Sequence, residues 1–349
     1  MSADAKPKIR PLFRFLLRLT IAGGLIFWLF LRHRQEFQQA FQRVRLPFFA
    51  LALLLYAAAA VLGARRWQVI LKIAGFPVRQ GEALALTMKG CFFALVIPGG
   101  AIGGDVAKIG FLAASTGKGA RLEGALTILL DRIVGMAGLF LLALVLLAAE
   151  LPVFLHVEIP GIRLTAGGRI GMVLALAALC LAGLLVIPLM LNIEALRRVR
   201  CFDRLFVSLD RFFRGALTRL EKVFELAREQ WPRLLLWALL SLVFIHFGQA
   251  AVVLCICAGL DLVPTPETVL AAAAAVTIGN IAGLLPLSIS GLGIRDTVIC
   301  LLLSAARLPD PAVIPLLYSA LIVLFNLSGG LFLLNGTGRT NSITRIETP

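Results

Sequence analysis

Residues 82–115 read EALALTMKGCFFALVIPGGAIGGDVAKIGFLAAS, and the reading of this stretch decides the fold. Glu82 to Ile97 has the composition of a membrane helix but not the length. A helix crossing a bilayer needs about 17–25 mostly apolar residues. The run breaks at Pro98-Gly99-Gly100-Ala101-Ile102-Gly103-Gly104-Asp105 and resumes as a second short helix from Val106 to Ala114. Neither half spans alone. Irregular backbone at membrane depth is tolerated only where protein or a wet cavity surrounds it. Residues 82–115 are therefore expected to form a re-entrant hairpin.

The surrounding sequence supplies the membrane. Hydrophobic residues make up 60% of the chain and charged ones 15%, against roughly 45–50% and 25% in soluble domains. Long apolar runs flank the hairpin: Leu12 to Leu31, a run from Pro47 to Arg65-Arg66-Trp67, Leu122 to Ala149, 169–191, Leu234 to Ala258 and Ala312 to Leu334. The first run resembles a signal peptide, with Lys6, Lys8 and Arg10 before it. It ends in Arg32-His33-Arg34 without a small-residue cleavage site, so a retained helix is expected. Residues 268–306 repeat the oddity of 82–115. An apolar helix to Leu285 breaks at Pro286-Leu287-Ser288-Ile289-Ser290-Gly291-Leu292-Gly293-Ile294-Arg295-Asp296, and a short helix to Ala306 follows.

Residues 192–232 differ in kind. Phe202, Leu205, Phe206, Leu209, Phe212, Phe213, Leu217, Leu220, Val223 and Phe224 recur at three- and four-residue steps, with Arg and Glu between them. That pattern predicts an amphipathic interfacial helix over about 195–231. Ten basic residues from Arg197 to Arg233 outnumber six acids from Glu194 to Glu229.

The net charge of +15 suggests nucleic acid at first sight, but the Lys and Arg residues flank apolar runs as membrane anchors do. No nucleic-acid partner is expected. The basic N-terminus, Arg65 to Arg79, Lys118 to Arg121 and 192–233 share one face if both broken stretches are re-entrant, and that face is expected to be cytoplasmic. Both termini then lie inside, in a bacterial cytoplasmic (inner) membrane. Arg32, Arg34, Arg43 and Arg45 fall on the other face, against the rule. The order becomes span, span, hairpin, span, and then the same plan inverted. Repeat one covers about 12–150, repeat two about 166–335, and a polar tail 336–349. Inverted repeats with broken helices are a recurring transporter plan. The expected fold is thus an all-α polytopic helix bundle, one membrane domain with two re-entrant hairpins.

Cys91, Cys180, Cys201, Cys255, Cys257 and Cys300 show no metal-ligand spacing, and His33, His156 and His246 are scattered. No cofactor, metal or catalytic residue is expected, and no P-loop is present. The informative residues are charges inside apolar helices, each costing roughly 2.5–3.5 kcal/mol to insert. They are Asp105, Lys108, Asp131, Arg132, Arg295 and Asp296. Structural duties are available to them: Asp105 as an N-cap, Lys108 snorkelling, Asp131 paired with a basic neighbour. The functional alternative is anion recognition. Helix N-termini favour anions, Gly103, Gly104, Gly291 and Gly293 allow close backbone approach, and Lys108 and Arg295 are suited to a phosphate. Small residues also serve tight helix packing. Arg65-Arg66-Trp67 reads as an interfacial anchor, and Asn280 and Asn326 as interhelical bonding groups.

Arg66-Trp67, Pro98 to Asp105 with Lys108, Asp131-Arg132 and Gly291-Leu-Gly-Ile-Arg295-Asp296 occur in an order that resembles the lysylphosphatidylglycerol synthase transmembrane family, over about residues 12–335. The resemblance implies a flippase-like, lipid-translocating role. Gly103, Gly104, Asp105, Lys108, Asp131, Arg132, Gly291, Gly293, Arg295 and Asp296 would then serve the lipid site. It implies a membrane phospholipid or polyprenyl-phosphate lipid as partner, with a lipid-synthesis enzyme or a second copy as further candidates. The family motif usually ends in Glu where this chain has Asp296. No soluble domain follows residue 335, so transferase activity is not expected. The competing readings are a membrane-embedded transferase and a non-transporting partner of a lipid-modifying synthase or glycosyltransferase.

Overall fold

The computed structural model describes residues 42–97, 101–116, 121–159, 161–212, 216–284 and 293–334, with Gln35 and Gln38. The Leu12–Leu31 run, the break at 98–100, the second break with Gly291, and the polar tail lie outside them. Among the described residues every long element is helical, and β pairing amounts to one isolated bridge between Ile159 and Ile162. The chain is an all-α polytopic membrane protein.

Among the described residues five segments are long and apolar enough to cross a membrane. They contain α1 (Leu46–Ile73), α4 (Arg121–Ala149), α5 (Ala166–Leu191), the composite of α8 (Trp231–Leu240) and α9 (Phe247–Gly259), and α12 (Val313–Ser328). Between them stand two shorter pairs. α2 (Gln80–Val96) lies against α3 (Ala101–Thr116), and α10 (Pro266–Ala282) against α11 (Ile294–Ala305). α2 has 17 residues and α3 16. At 1.5 Å per residue each reaches about 25 Å, short of a hydrocarbon core of about 30 Å.

Local chemistry sets the ends. Pro47 and Pro266 occupy first-turn positions, where a missing N–H costs nothing. The hydroxyls of Thr165 and Thr265 cap α5 and α10 by accepting from Gly168 N and Thr268 N, at 3.1 and 3.2 Å. α1 stops at Gly75, whose φ of +84° lets Phe76 N bond back to Leu71 O at 2.8 Å. α9 and α11 end on the same pattern without glycine, at Asp261 (φ 61°) and Arg307 (φ 58°).

The amphipathic region divides into three helices rather than one: a short turn Ile193–Arg197, α6 (Arg200–Phe212) and α7 (Ala216–Glu229). Phe206, Val223, Phe224 and Ala227 bury against Ile70 of α1, Leu126 and Leu130 of α4 and Leu234 of α8. The apolar stripe thus caps one end of the bundle. At the opposite end, Arg43 holds Asp310 through two bonds of 3.1 and 2.6 Å, and Arg45 pairs with Asp261 at 2.6 Å. Arg45 N also donates to Gly259 O at 2.9 Å. Two of the four arginines set against the positive-inside rule are therefore neutralised by partners, and Arg32 and Arg34 lie outside the described residues.

These contacts orient the hairpins. α2 begins and α3 ends at the capped end, where Val78, Ala83 and Leu112 join Trp67 and Leu71. α10 and α11 open at the other end, beside Asp261 and Asp310. The packing has a matching order. α2 lies on α12 and α10 on α4; α1 touches α2 as α9 touches α10; α3 meets α4 as α11 meets α12; and α1 and α9 face each other.

Candidate functional site

Three helices bring four of the predicted charges together. Asp105 and Lys108 sit on α3, Asp131 and Arg132 on α4, and α1 adds Arg66 and Trp67. Asp131 is bound by Arg66 in a two-point pair, Nε to Oδ1 at 2.8 Å and Nη2 to Oδ2 at 3.2 Å. Arg66 Nη1 donates to Ser241 Oγ at 2.9 Å. Asp105 is bound the same way by Arg132, at 2.8 and 2.9 Å. Fork-to-fork pairs of this kind are the strongest charged hydrogen bonds. They also meet the chief requirement on a buried charge, that it be paired.

Lys108 is different. It is 8% exposed, and its ammonium lies 4.1 Å from the centre of the Trp67 ring. Among the described residues it makes no hydrogen bond and no ion pair. Asp105, Asp131 and Arg132 all act on it through space. The group of Arg66, Lys108 and Arg132 against Asp105 and Asp131 thus carries one positive charge in excess. Lys89, on the other arm of the hairpin, lies over Phe111 at 5.1 Å and is separate from this group.

Glycines make the room. A Cβ on Gly90 would stand 2.6 Å from Lys108 Cγ and 3.2 Å from Gly104 O; one on Gly104 would stand 2.5 Å from Gly90 O. A Cβ on Gly103 would strike Ile97 at 2.8 Å. Gly103 and Gly104 therefore serve the contact between the arms, with no backbone left open there to a ligand. Gly135 leaves space for the Arg66 guanidinium, 2.7 Å from where its Cβ would be. Asp105 lies in the second turn of α3 and is not its N-cap.

The second hairpin arranges its charges within itself. Arg295, 5% exposed, donates from Nε and Nη2 to Asp296 Oδ1 at 3.1 and 3.0 Å, and from Nη2 to Ser319 Oγ on α12. Ser319 Oγ donates to the same Asp296 oxygen at 2.7 Å. The guanidinium lies 5.0 Å from the Tyr318 ring. Gly293, at φ +99°, donates its N–H to Asp296 Oδ2 at 3.3 Å and starts α11. Asn280 Nδ2 donates to Gln249 Oε1 at 2.9 Å, the interhelical bond expected of it. Gly291 lies outside the described residues.

Sequence reasoning missed Arg66, Trp67, Gly90 and Ser241. Arg65 is exposed as an anchor should be, but Arg66 and Trp67 are buried. Successive helical residues point about 100° apart, so the three were never one group. Ser241 opens a π-helical turn, Ser241–His246, whose other end donates from His246 Nε2 to Gly135 O at 3.0 Å. Such turns recur at functional sites. A cavity of about 160 Å³ lies apart from these charges, between the end of α5 and α7. Of its three carboxylates, Glu194, Glu221 and Glu225, the first two are already paired with Arg228 and Arg197.

The family model for the lysylphosphatidylglycerol synthase TM region matches residues 15–329. The chain belongs to that family. No curated protein and no solved structure matches it. Membership of the lysylphosphatidylglycerol synthase transmembrane family marks it as a multi-pass membrane protein connected with lipid metabolism or flipping. In this family member the charges resolve into a five-charge group where α1, α3 and α4 meet, with Arg66, Lys108 and Asp131 buried and Asp105 and Arg132 partly exposed, and a self-contained pair on the second hairpin.

Proposed function

We propose that this protein is a lipid translocase that takes an anionic lipid headgroup, of a phospholipid or a polyprenyl phosphate, into the interior of the bundle. The observation that carries the reading is Lys108: a buried ammonium with no hydrogen bond or ion pair among the described residues, set on a broken hairpin and held over Trp67. An unpaired buried cation is costly, and a headgroup phosphate is the anion a membrane supplies. The two short hairpins support the reading. They are re-entrant from opposite faces, the halves form an inverted repeat, and the capped, basic end is cytoplasmic. The chain itself is not an enzyme; its charges are committed to each other and to a headgroup.

The test is exposure of fluorescent phosphatidylglycerol to a membrane-impermeant quencher in liposomes of the purified protein. Quenching of the inner-leaflet pool faster than in protein-free vesicles is the expected result. Equal rates would remove the translocase reading. They would favour the alternative, a non-transporting partner of a lipid-modifying enzyme, for which the α6–α7 cap is the natural docking element.

A further inference from the structure

The two hairpins share a register, and comparing them residue by residue shows where they part. Gly90 of α2 packs against Gly104 and Lys108 of α3, and Gly279 of α10 packs against Arg295 and Ile299 of α11. The spacing is four residues in both. Gly104 thus corresponds to Arg295, Asp105 to Asp296, and Lys108 to Ile299. The carboxylates confirm the match: Asp105 is bound by Arg132 on α4, and Asp296 by Ser319 on α12. Asp131 then corresponds to Tyr318. The repeat retains its aspartate and nothing else of the charge group. In the second hairpin Arg295 and Asp296 cancel, and both are engaged with Ser319. In the first, Lys108 is left over.

We infer that Lys108 of the first hairpin marks an anion site, the one such site among the described residues, and that it selects a group of single negative charge, a phosphodiester, over a doubly charged phosphomonoester. This deepens the translocase reading by naming the charge its site accepts. A monoanion makes the buried group neutral. A dianion leaves one uncompensated negative charge between Asp105 and Asp131, and buried charge without a partner is strongly disfavoured. Arg295 is no second site of excess charge, because Asp296 beside it neutralises the guanidinium. A lipid and a free phosphodiester share this chemistry.

The test uses a variant with Trp67 as sole tryptophan (Trp28, Trp231 and Trp237 replaced by Phe) in dodecyl maltoside micelles, which carry no phosphate. Trp67 emission reports on Lys108 directly. Dimethyl phosphate and phosphatidylglycerol are titrated as the soluble and lipid phosphodiesters, and phosphatidic acid as the phosphomonoester at a pH where it is doubly charged. Phosphatidylglycerol is expected to change the emission saturably and to bind at least about fivefold tighter than phosphatidic acid. A response to dimethyl phosphate as well places recognition in the phosphodiester; a response to the lipid alone adds its chains to the site. Lys108→Met is expected to lose the response and Lys108→Arg to keep it. Equal or tighter binding of phosphatidic acid, or an unchanged response in Lys108→Met, overturns the inference. Unfolding of Lys108→Met is checked by its thermal midpoint, which should rise because an unpaired charge is removed; a fall shows Lys108 to be a structural partner and also overturns it. The two readings fail separately. A Trp67 response without lipid translocation leaves the site standing, and translocation by Lys108→Met leaves the translocase standing without it.

Discussion

Arg66 and Asp131 show how a buried pair constrains its neighbours. The arginine satisfies the carboxylate at two points and reaches Ser241 with its remaining nitrogen. Removing one partner strands the other. Asp131→Asn is expected to destabilise the protein by about 3–5 kcal/mol, the usual cost of breaking a buried ion pair, and Arg66→Met by a similar amount. Their combination should recover much of the loss, since both charges are then gone; thermal unfolding of all three in one detergent checks it. The sequence made Asp131 legible, because an acid in the middle of an apolar run is expensive wherever it sits. Arg66 was not legible. A basic pair at the end of a run looks like an anchor, and only the helix phase separates the exposed Arg65 from the buried Arg66.

Among the elements, the two pairs of short helices were readable because proline and glycine interrupt runs too short to span. What the glycines do was not readable, since close backbone contact and ligand approach leave the same residues in a sequence. Gly104 belongs to the first kind, its missing side chain filled by Gly90 O. Gly104→Ala is therefore expected to cost about 1–3 kcal/mol by overpacking, seen as a lower melting midpoint whether or not lipid is present. A role in headgroup binding alone would leave the lipid-free midpoint unchanged. The amphipathic stretch was legible as a pattern, but its division was not. Asp210 accepts from Leu217 N, Thr218 N and the Thr218 hydroxyl, at 2.8, 3.0 and 2.6 Å, and so begins α7. Those bonds, the Thr218 side chain first, hold its carboxyl below the usual range. Its contribution is present at neutral pH and lost as pH falls through that lowered value.

At the scale of the molecule, the five long spans and their order follow from hydropathy, while the pairing of helices across the halves needed the packing to show it. The end opposite the cap is held by Arg43–Asp310 and Arg45–Asp261, which tie the start of α1 to the second half. Exposed pairs are each worth about 0–1 kcal/mol, so breaking one should hardly move stability. A covalent tie is another matter: Arg43→Cys with Asp310→Cys, joined by a short bifunctional thiol reagent, is expected to stop labelled-lipid exposure in liposomes and leave the fold intact. Unchanged exposure would show that this end stays shut during turnover. Glu150 lies at the same end, its carboxyl raised by burial and by Glu267. A carboxyl raised on folding contributes stability at low pH that is lost as pH rises through the folded value. Thermal unfolding across acidic pH should therefore show a component that Glu150→Gln abolishes.

The π-helical turn at Ser241–His246 sets the phase of everything after it. One residue more than an α-helix needs is wound into the middle of the Trp231–Gly259 span. Ser241, before the surplus, faces Arg66, and Gln249, after it, faces Asn280. A single-residue deletion within 242–245 would let the span wind as one regular helix. Gln249 and the rest of α9 would keep their facing toward α10, because the residue removed is the surplus one; a deletion elsewhere in the span would turn them by about 100°. An indel of one residue is ordinarily harmless in a loop; in this span, outside the π-turn, it acts as a rotation of one half of the helix against the other.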